Sequence, residues 1–259
     1  MKNYYPKAIT IYIVVILAVI LLSSRCIKIE EVVMPYYDTT YVIIKDSSRV
    51  LVSDTVITFI NDTNYIVIYI YDTIRTITIG SQEWMDKDLH TLYYNDGTAI
   101  KLSYDNNDWS LNEPACCYYL NDSKNGILYN WYAVETGKLC PIGFRVSSED
   151  DWKQLETFLG PDDIRGGKLK EKGLTHWKYP NLHATDEYGW TAIPTYFRYY
   201  NGEWGIDNFY TFQAANYWTS TIEPNDDLPI YKRLQYDNGY ILWYRHGRTM
   251  GFAVRCIKN

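Results

Sequence analysis

The sequence predicts an α+β domain over residues 80–259, preceded by a β-rich repeat stalk at residues 27–79 and an apolar N-terminal segment at residues 1–26. Three observations carry that expectation. One strong helix signal stands early in the C-terminal part, at residues 147–160. Short β-branched and aromatic runs follow late, between residues 230 and 257, with turn residues between them. Before residue 80 the chain repeats Asp-Thr turns at a near-regular interval. A helix placed early and antiparallel strands placed late are the pattern of an α+β domain.

At the N-terminus, Lys2 and Lys7 lead into an uncharged apolar run, residues 8–22, closed by Ser23-Ser24-Arg25-Cys26. A basic region followed by an apolar stretch of this length reads as an export signal or a retained membrane anchor. Cys26, directly after the apolar run, resembles the lipidated cysteine of a bacterial lipoprotein, although Arg25 departs from that pattern. Either reading attaches the chain to a membrane and places its bulk outside the cytoplasm, at the cell surface or in the periplasm, where disulfides form.

In residues 27–79, Asp38, Asp46, Asp54 and Asp62 are spaced by eight, and Asp72 follows. The residues between them are mainly Ile, Val, Thr and Tyr, which favour strands. With Pro35 the only proline and no glycine before Gly80, a flexible linker is not expected. Such strands cannot bury both faces alone. The expectation is a stalk that stacks on itself or assembles with other copies of the chain as a homo-oligomer. The alternative is that its strands join the C-terminal domain. The Asp-Thr steps at Thr39, Thr55 and Thr73 also resemble an O-glycosylation signal of exported Bacteroidota proteins.

Within residues 80–259, Ser147 or Ser148 caps a helix whose first turn holds Glu149, Asp150 and Asp151. Acidic residues there complement the helix dipole. Trp152, Leu155, Phe158 and Leu159 are expected on its buried face, and Gly160-Pro161 ends it. After Tyr179-Pro180 the chain becomes irregular and aromatic. It closes as a β-meander: residues 230–236, a turn at Asp237-Asn238-Gly239, residues 240–245, a turn near His246-Gly247, and residues 251–257. Cys140 and Cys256 bracket most of this region. A bond between them would close a loop of over a hundred residues, and the alternative is two buried free thiols. Cys116-Cys117, between Pro114-Ala115 and Tyr118-Tyr119, lacks the electropositive setting of a reactive thiol and reads as core.

Several blocks occur in order: Gly80-Ser81-Gln82-Glu83-Trp84, Tyr94-Asn95-Asp96-Gly97-Thr98, Leu128-Tyr129-Asn130-Trp131-Tyr132-Ala133, Leu139-Cys140-Pro141, Gly166-Gly167-Lys168-Leu169-Lys170-Glu171, Thr175-His176-Trp177, Tyr217-Trp218-Thr219-Ser220-Thr221 and Gly251-Phe252-Ala253-Val254-Arg255-Cys256. Together they resemble the Fibrobacter succinogenes major paralogous domain. That resemblance implies a C-type-lectin-like fold on exported, often lipid-anchored proteins of Bacteroidota and their relatives, and it implies no particular activity.

The net charge of −6, with both signs interspersed, argues against nucleic acid as a partner. Neither a zinc spacing nor a nucleophilic triad nor a phosphate loop is present. An enzyme is considered only because formylglycine-generating enzymes share the lectin-like fold. That chemistry requires a reactive cysteine pair, and Cys140 with Cys256 reads as structural. Glu223-Pro224-Asn225 resembles the calcium-ligating motif of sugar lectins, so Glu223, Asn225 and Asp237 form a candidate Ca²⁺ set, the one cofactor considered. The broader signal is 27 Tyr and nine Trp, of which 18 Tyr and every Trp lie in residues 80–259. Rigid aromatics mixed with amides and arginines suit a recognition surface. The candidates for ligand contact are Trp204, Tyr210, Asn225, Asp226, Tyr231, Arg233, Tyr240, Tyr244, Arg245 and His246, although alternation along a strand must turn part of any such set inward. The expected function is non-enzymatic recognition of a cell-surface glycan or protein. A structural envelope protein without a specific ligand is the main alternative, and a calcium-dependent sugar lectin is another.

Overall fold

A computed structural model of the chain describes the backbone of residues 29–34, 39–44 and 66–69, and residues 74–122, 126–205 and 212–259 in full. The chain divides into two compact units, Met1–Thr73 and Ile74–Asn259. In the first, β1 (Ile29–Met34), β2 (Thr39–Ile44) and β3 (Ile66–Tyr69) form an antiparallel sheet in the order β1-β2-β3. Two of the β-branched runs seen in the sequence thus supply strands. The apolar segment, Cys26, Thr55 and Thr73 lie outside the described residues. Among the described residues no helix is long and apolar enough to cross a membrane.

Among the described residues the second unit is a mixed α+β domain with few helices and three sheets. It begins with β4 (Thr76–Ile79) paired to β5 (Gln82–Met85), so residues read from the sequence as the end of the stalk belong to this unit's first hairpin. Gly80 makes that turn at φ +63, a left-handed value that glycine adopts without a Cβ clash. Next come β6 (Lys101–Leu102), α1 (Asn106–Trp109), β7 (Ala115–Tyr118), β8 (Ile127–Asn130), α2 (Trp131–Glu135) and β9 (Phe144–Val146). The longest helix, α3 (Glu149–Leu159), leads to the short α4 (Asp162–Arg165). The chain closes with β10 (Ala214–Glu223), β11 (Leu228–Gln235), β12 (Leu242–Arg245), β13 (Gly251–Phe252) and β14 (Cys256–Lys258). The sheets run β4-β5-β14-β9, β13-β8-β7-β6 and β10-β11-β12, antiparallel except for β6 beside β7.

Helix α3 forms as its sequence dictates. The Ser148 hydroxyl accepts from Asp151 N, and the Asp151 carboxylate accepts from Ser148 N, a reciprocal cap of two otherwise unpartnered N–H groups. Trp152, Leu155 and Leu159 are buried at the i, i+3, i+7 spacing of one face. Phe158 is turned off that stripe and is half exposed against Tyr188, contrary to expectation.

The closing meander also differs from expectation. It begins one strand earlier, with β10, whose side chains alternate between two cores. Tyr217 packs with Trp84, Trp152 and Trp190, whereas Trp218 packs with Tyr129, Trp131 and Phe252. The run at residues 251–257 is not one strand. Ala253, Val254 and Arg255 cross from β13 in one sheet to β14 in another, and Val254 O accepts from Leu89 N on the way.

Cys140 and Cys256 are joined by a disulfide across a sequence separation of 116. In the chain-entropy model a loop of this length stabilises the native state by roughly 4 to 5 kcal/mol. Reduction, or the Cys140→Ser/Cys256→Ser pair, is therefore expected to lower the melting temperature by about 10 °C or more while the far-ultraviolet dichroism of the cold protein is retained. An unchanged thermal melt under reducing conditions would refute a stabilising bond.

Candidate binding surface

The sheet β10-β11-β12 organises the surface toward which most of the candidate residues fall. The ten-residue β10 and eight-residue β11 form a hairpin whose register shifts between Trp218 and Ile222. Residues 224–227 make its tip, with Asp227 at φ +56. There Asn225 Nδ2 donates to Glu223 Oε1 at 3.0 Å, Asp226 pairs with Arg245 at 2.6 Å, and Asp227 pairs with Arg248 at 3.0 Å. Arg248 also reaches Glu135 at 3.0 Å and lies 4.8 Å from the centre of the Trp131 ring. The tip carboxylates are thus partnered by arginines of this same domain.

Strand β12 is the edge of the sheet. Pairing of Tyr231 with Tyr244 and of Lys232 with Trp243 sets its side chains alternately on the two faces. Trp243 is 52% exposed, Tyr244 is 43% exposed, and Arg245 is exposed as well. Opposite Trp243 on β11, Lys232 is buried and bound to Glu149 Oε1 and Glu156 Oε1 of α3, each at 3.0 Å, which fastens the helix to the sheet. His246 N donates to Pro229 O, and partial burial lowers the imidazole pKa, favouring the neutral ring.

Asn225, Asp226, Tyr244, Arg245 and His246 therefore gather at the tip end of the sheet. Tyr231 does not face outward. It is 8% exposed and packs against Phe252, because it shares its strand face with the core. Arg233 is half-buried along β11. Tyr240 is exposed, but it lies at the opposite end of the sheet, before β12. Trp204 is half-buried against Arg198, whose guanidinium sits between the Trp109 and Trp204 rings at 4.7 and 5.1 Å. Tyr210 lies outside the described residues. Cys116 and Cys117 are buried free thiols, and burial raises the pKa of both, Cys117 to about 12.

The calcium set is not brought together. Glu223 and Asn225 share the tip, whereas Asp237 follows the far end of β11. An eight-residue strand separates them by roughly 25 Å. Among the described residues no group of three or more His, Cys, Asp and Glu is placed to hold a metal ion.

The sequence reading missed the buried cations that fix the irregular segments. Lys170 Nζ donates to Leu182 O, Gln235 O and Asn238 O at 2.8, 2.7 and 2.8 Å. Gly166 and Gly167 let the loops close over it, since a Cβ at either would stand 2.3 Å from Tyr240 O or His183 O. Arg198 donates to Gly202 O and Ser103 O at 2.8 Å each. Arg255 donates to Trp190 O at 3.0 Å and to Asp88 Oδ1 at 2.8 Å. Only Arg255 left a signal, as a charge inside the apolar run of residues 252–257.

What these elements define is a disulfide-closed α+β domain with an aromatic edge strand and, among the described residues, no group of three or more His, Cys, Asp and Glu placed to hold a metal. The family model of the Fibrobacter succinogenes major domain (Fib_succ_major) matches residues 77–258, and the chain belongs to that family. No curated protein and no solved structure matches the chain.

Burial lowers the Lys170 pKa to about 8, with Asp237 opposing. An unfolded lysine titrates near 10.4. Between those values the unfolded chain binds more protons than the native one, so this group makes stability rise with pH across that window. Urea unfolding at pH 7.5, 8.5 and 9.5 is expected to show that rise relative to Lys170→Met, in which this contribution is absent. Parallel pH profiles for the two proteins would refute it. At pH 7.5 the variant, with three carbonyls left without their donor, is expected to lose about 3 kcal/mol.

Proposed function

We propose that the C-terminal domain is a non-enzymatic binding module of the cell envelope, recognising a glycan or protein ligand through the edge strand β12 and the adjoining hairpin tip. Trp243 carries this reading. Of the nine tryptophans, Trp84, Trp109, Trp131, Trp152, Trp177, Trp190 and Trp218 are buried and Trp204 is half-buried, whereas Trp243 stands 52% exposed. Arg245 lies on the same face of β12 and is a residue type enriched in recognition surfaces, and Tyr244 is exposed on the opposite face. An edge strand bearing aromatics in place of the usual lysine or proline favours contact over protection. The fold is read as C-type-lectin-like from the resemblance of the ordered sequence blocks, and the antiparallel sheets closed by a late strand agree with it. The module is displayed outside the cytoplasm of a Bacteroidota-type cell, tethered through Cys26 or the apolar segment. This reading invokes no calcium: Glu223 and Asp237 stand at opposite ends of β11, and Asp226 and Asp227 are paired with arginines.

The test is an array of defined glycans, together with immobilised envelope protein fractions, probed with the wild-type chain and the Trp243→Ala/Tyr244→Ala variant. Saturable retention by the wild type is expected, weakened about tenfold or more in the variant. Retention that persists undiminished in a folded variant, or that never occurs, would overturn the reading.

A further inference from the structure

Strand β12 leaves the outer side of its main chain open. His246 N donates to Pro229 O, so His246, Tyr244 and Leu242 turn their N–H and C=O groups inward, to Pro229, Tyr231 and Arg233 of β11. Trp243 and Arg245, one position out of phase, turn theirs outward. Among the described residues nothing bonds those outward groups. The opposite edge of the same sheet is closed. Along β10, Thr195 N donates to Ala214 O, Trp218 N to Ala253 O and Ser220 N to Ser147 O.

Outward groups that recur at every second residue, donor and acceptor together, are the complement of another extended polypeptide. The register of β12 on β11 is unbroken, and residues 243–245 are exposed, so no bulge or covering loop keeps a strand away. The side chains divide between the faces. Trp243 and Arg245 share one, and Tyr244 stands on the other over Tyr231, with ring centres 5.7 Å apart.

The strand is also its own complement. Trp243 and Arg245 flank Tyr244 evenly, so a second β12 laid antiparallel across a two-fold axis at Tyr244 meets every outward group. Trp243 then exchanges both main-chain bonds with Arg245 of the second copy, and Arg245 with its Trp243. Each of these pairs sets a guanidinium beside an indole ring, a favourable combination, and the two Tyr244 rings meet at the centre. Asp226, bonded to Arg245 at 2.6 Å, offsets the like charge of the two arginines.

We propose that the partner taken by β12 is a second copy of this chain, the two strands pairing antiparallel about Tyr244 into one continuous sheet. The inference rests on the reading of the domain as a binding module and names its protein ligand. A four-residue edge makes a small interface, so the dissociation constant is expected at about 10 to 100 μM.

Sedimentation velocity of the full chain, in a mild detergent that covers the apolar N-terminal segment, tests the pairing. Between about 1 and 200 μM a monomer–dimer equilibrium is expected, weakened roughly tenfold or more by Trp243→Lys and by Arg245→Pro. The Arg245 N–H points outward, so proline there removes an outward donor and no bond to β11, and thermal melts of both variants check that they fold. Register gives a second readout. Tyr244→Cys should form a disulfide-linked dimer under mild oxidation, because paired Cα atoms at the centre lie about 4.5 Å apart. Trp243→Cys alone should not, since it faces Arg245 of the second copy. A chain monomeric throughout, or an association that both folded variants leave unchanged and Tyr244→Cys does not trap, would overturn the pairing. A monomer that still retains a glycan or another envelope protein through Trp243 and Tyr244 would overturn the second copy as partner and leave the binding module standing, and one that retains nothing would overturn both.

Discussion

The C-terminal domain depends on one run of main chain, residues 250–258, which every sheet of the domain shares. Strand β13 pairs with β8. Ala253 exchanges bonds with β10, its N–H donating to Asn216 O and its carbonyl accepting from Trp218 N. Strand β14 then pairs with β5 on one side and β9 on the other. In the same few residues Arg255 is buried against Asp88 and the Trp190 ring, and Cys256 is bonded to Cys140. A buried ion pair adds little net stability where a hydrophobic pair would serve, but removing one partner leaves a buried charge exposed to no solvent. The pairing of Arg255 therefore constrains how the last strand may sit more than it strengthens it. The disulfide acts on the unfolded chain and holds the same run from the other direction.

Between residues 166 and 213 the described chain forms little regular secondary structure, and its carbonyls need partners other than a ladder. Lys170 and Arg198 are those partners. Each presents several donors from one fixed point, so a few side chains organise segments far apart in sequence. Arg198 alone binds the main chain of residues 103–105 and of Gly202. The aromatic faces stacked on Arg198 and Arg255 offset part of their desolvation by cation–π attraction. Loops fixed in this way can expose large side chains without collapsing onto them.

This arrangement explains what was legible in the sequence and what was not. Helix α3 was readable because its cap, its acidic first turn and its apolar stripe are local. The pairing of Cys140 with Cys256 was readable as one of two alternatives, because few partners existed. Strand β10 escaped notice because it is buried on both faces, so Ala214-Ala215-Asn216-Tyr217-Trp218 shows no alternation of polar and apolar residues. The interior position of Tyr231 follows from period two, but which parity faces inward is set by a register that only the assembled sheet fixes. Glu223 and Asp237 looked like neighbours because fourteen positions in sequence can close into a turn. Here an extended strand lies between them and carries them apart. Lys170 left no mark, since a lysine after a glycine pair is ordinarily solvated.

The aromatic excess of the sequence has two destinations, and separating them locates function better than composition does. Part of it builds the two main cores, where Trp84, Trp152, Trp190 and Tyr217 meet in edge-to-face and tilted pairs around one side of β10, and Trp218, Tyr231 and Phe252 around the other. A large ring left in water forgoes that burial energy, about 1.5 to 3 kcal/mol for a side chain of this size. A few exposed rings are normal on any surface. Those of Trp243 and Tyr244 stand on the two faces of one edge strand whose neighbouring charges, Asp226 with Arg245 and Asp227 with Arg248, are already paired. Under the proposed binding role, charges satisfied within the domain leave recognition to ring faces and amides, so binding at this surface should depend on shape and stacking far more than on ionic strength.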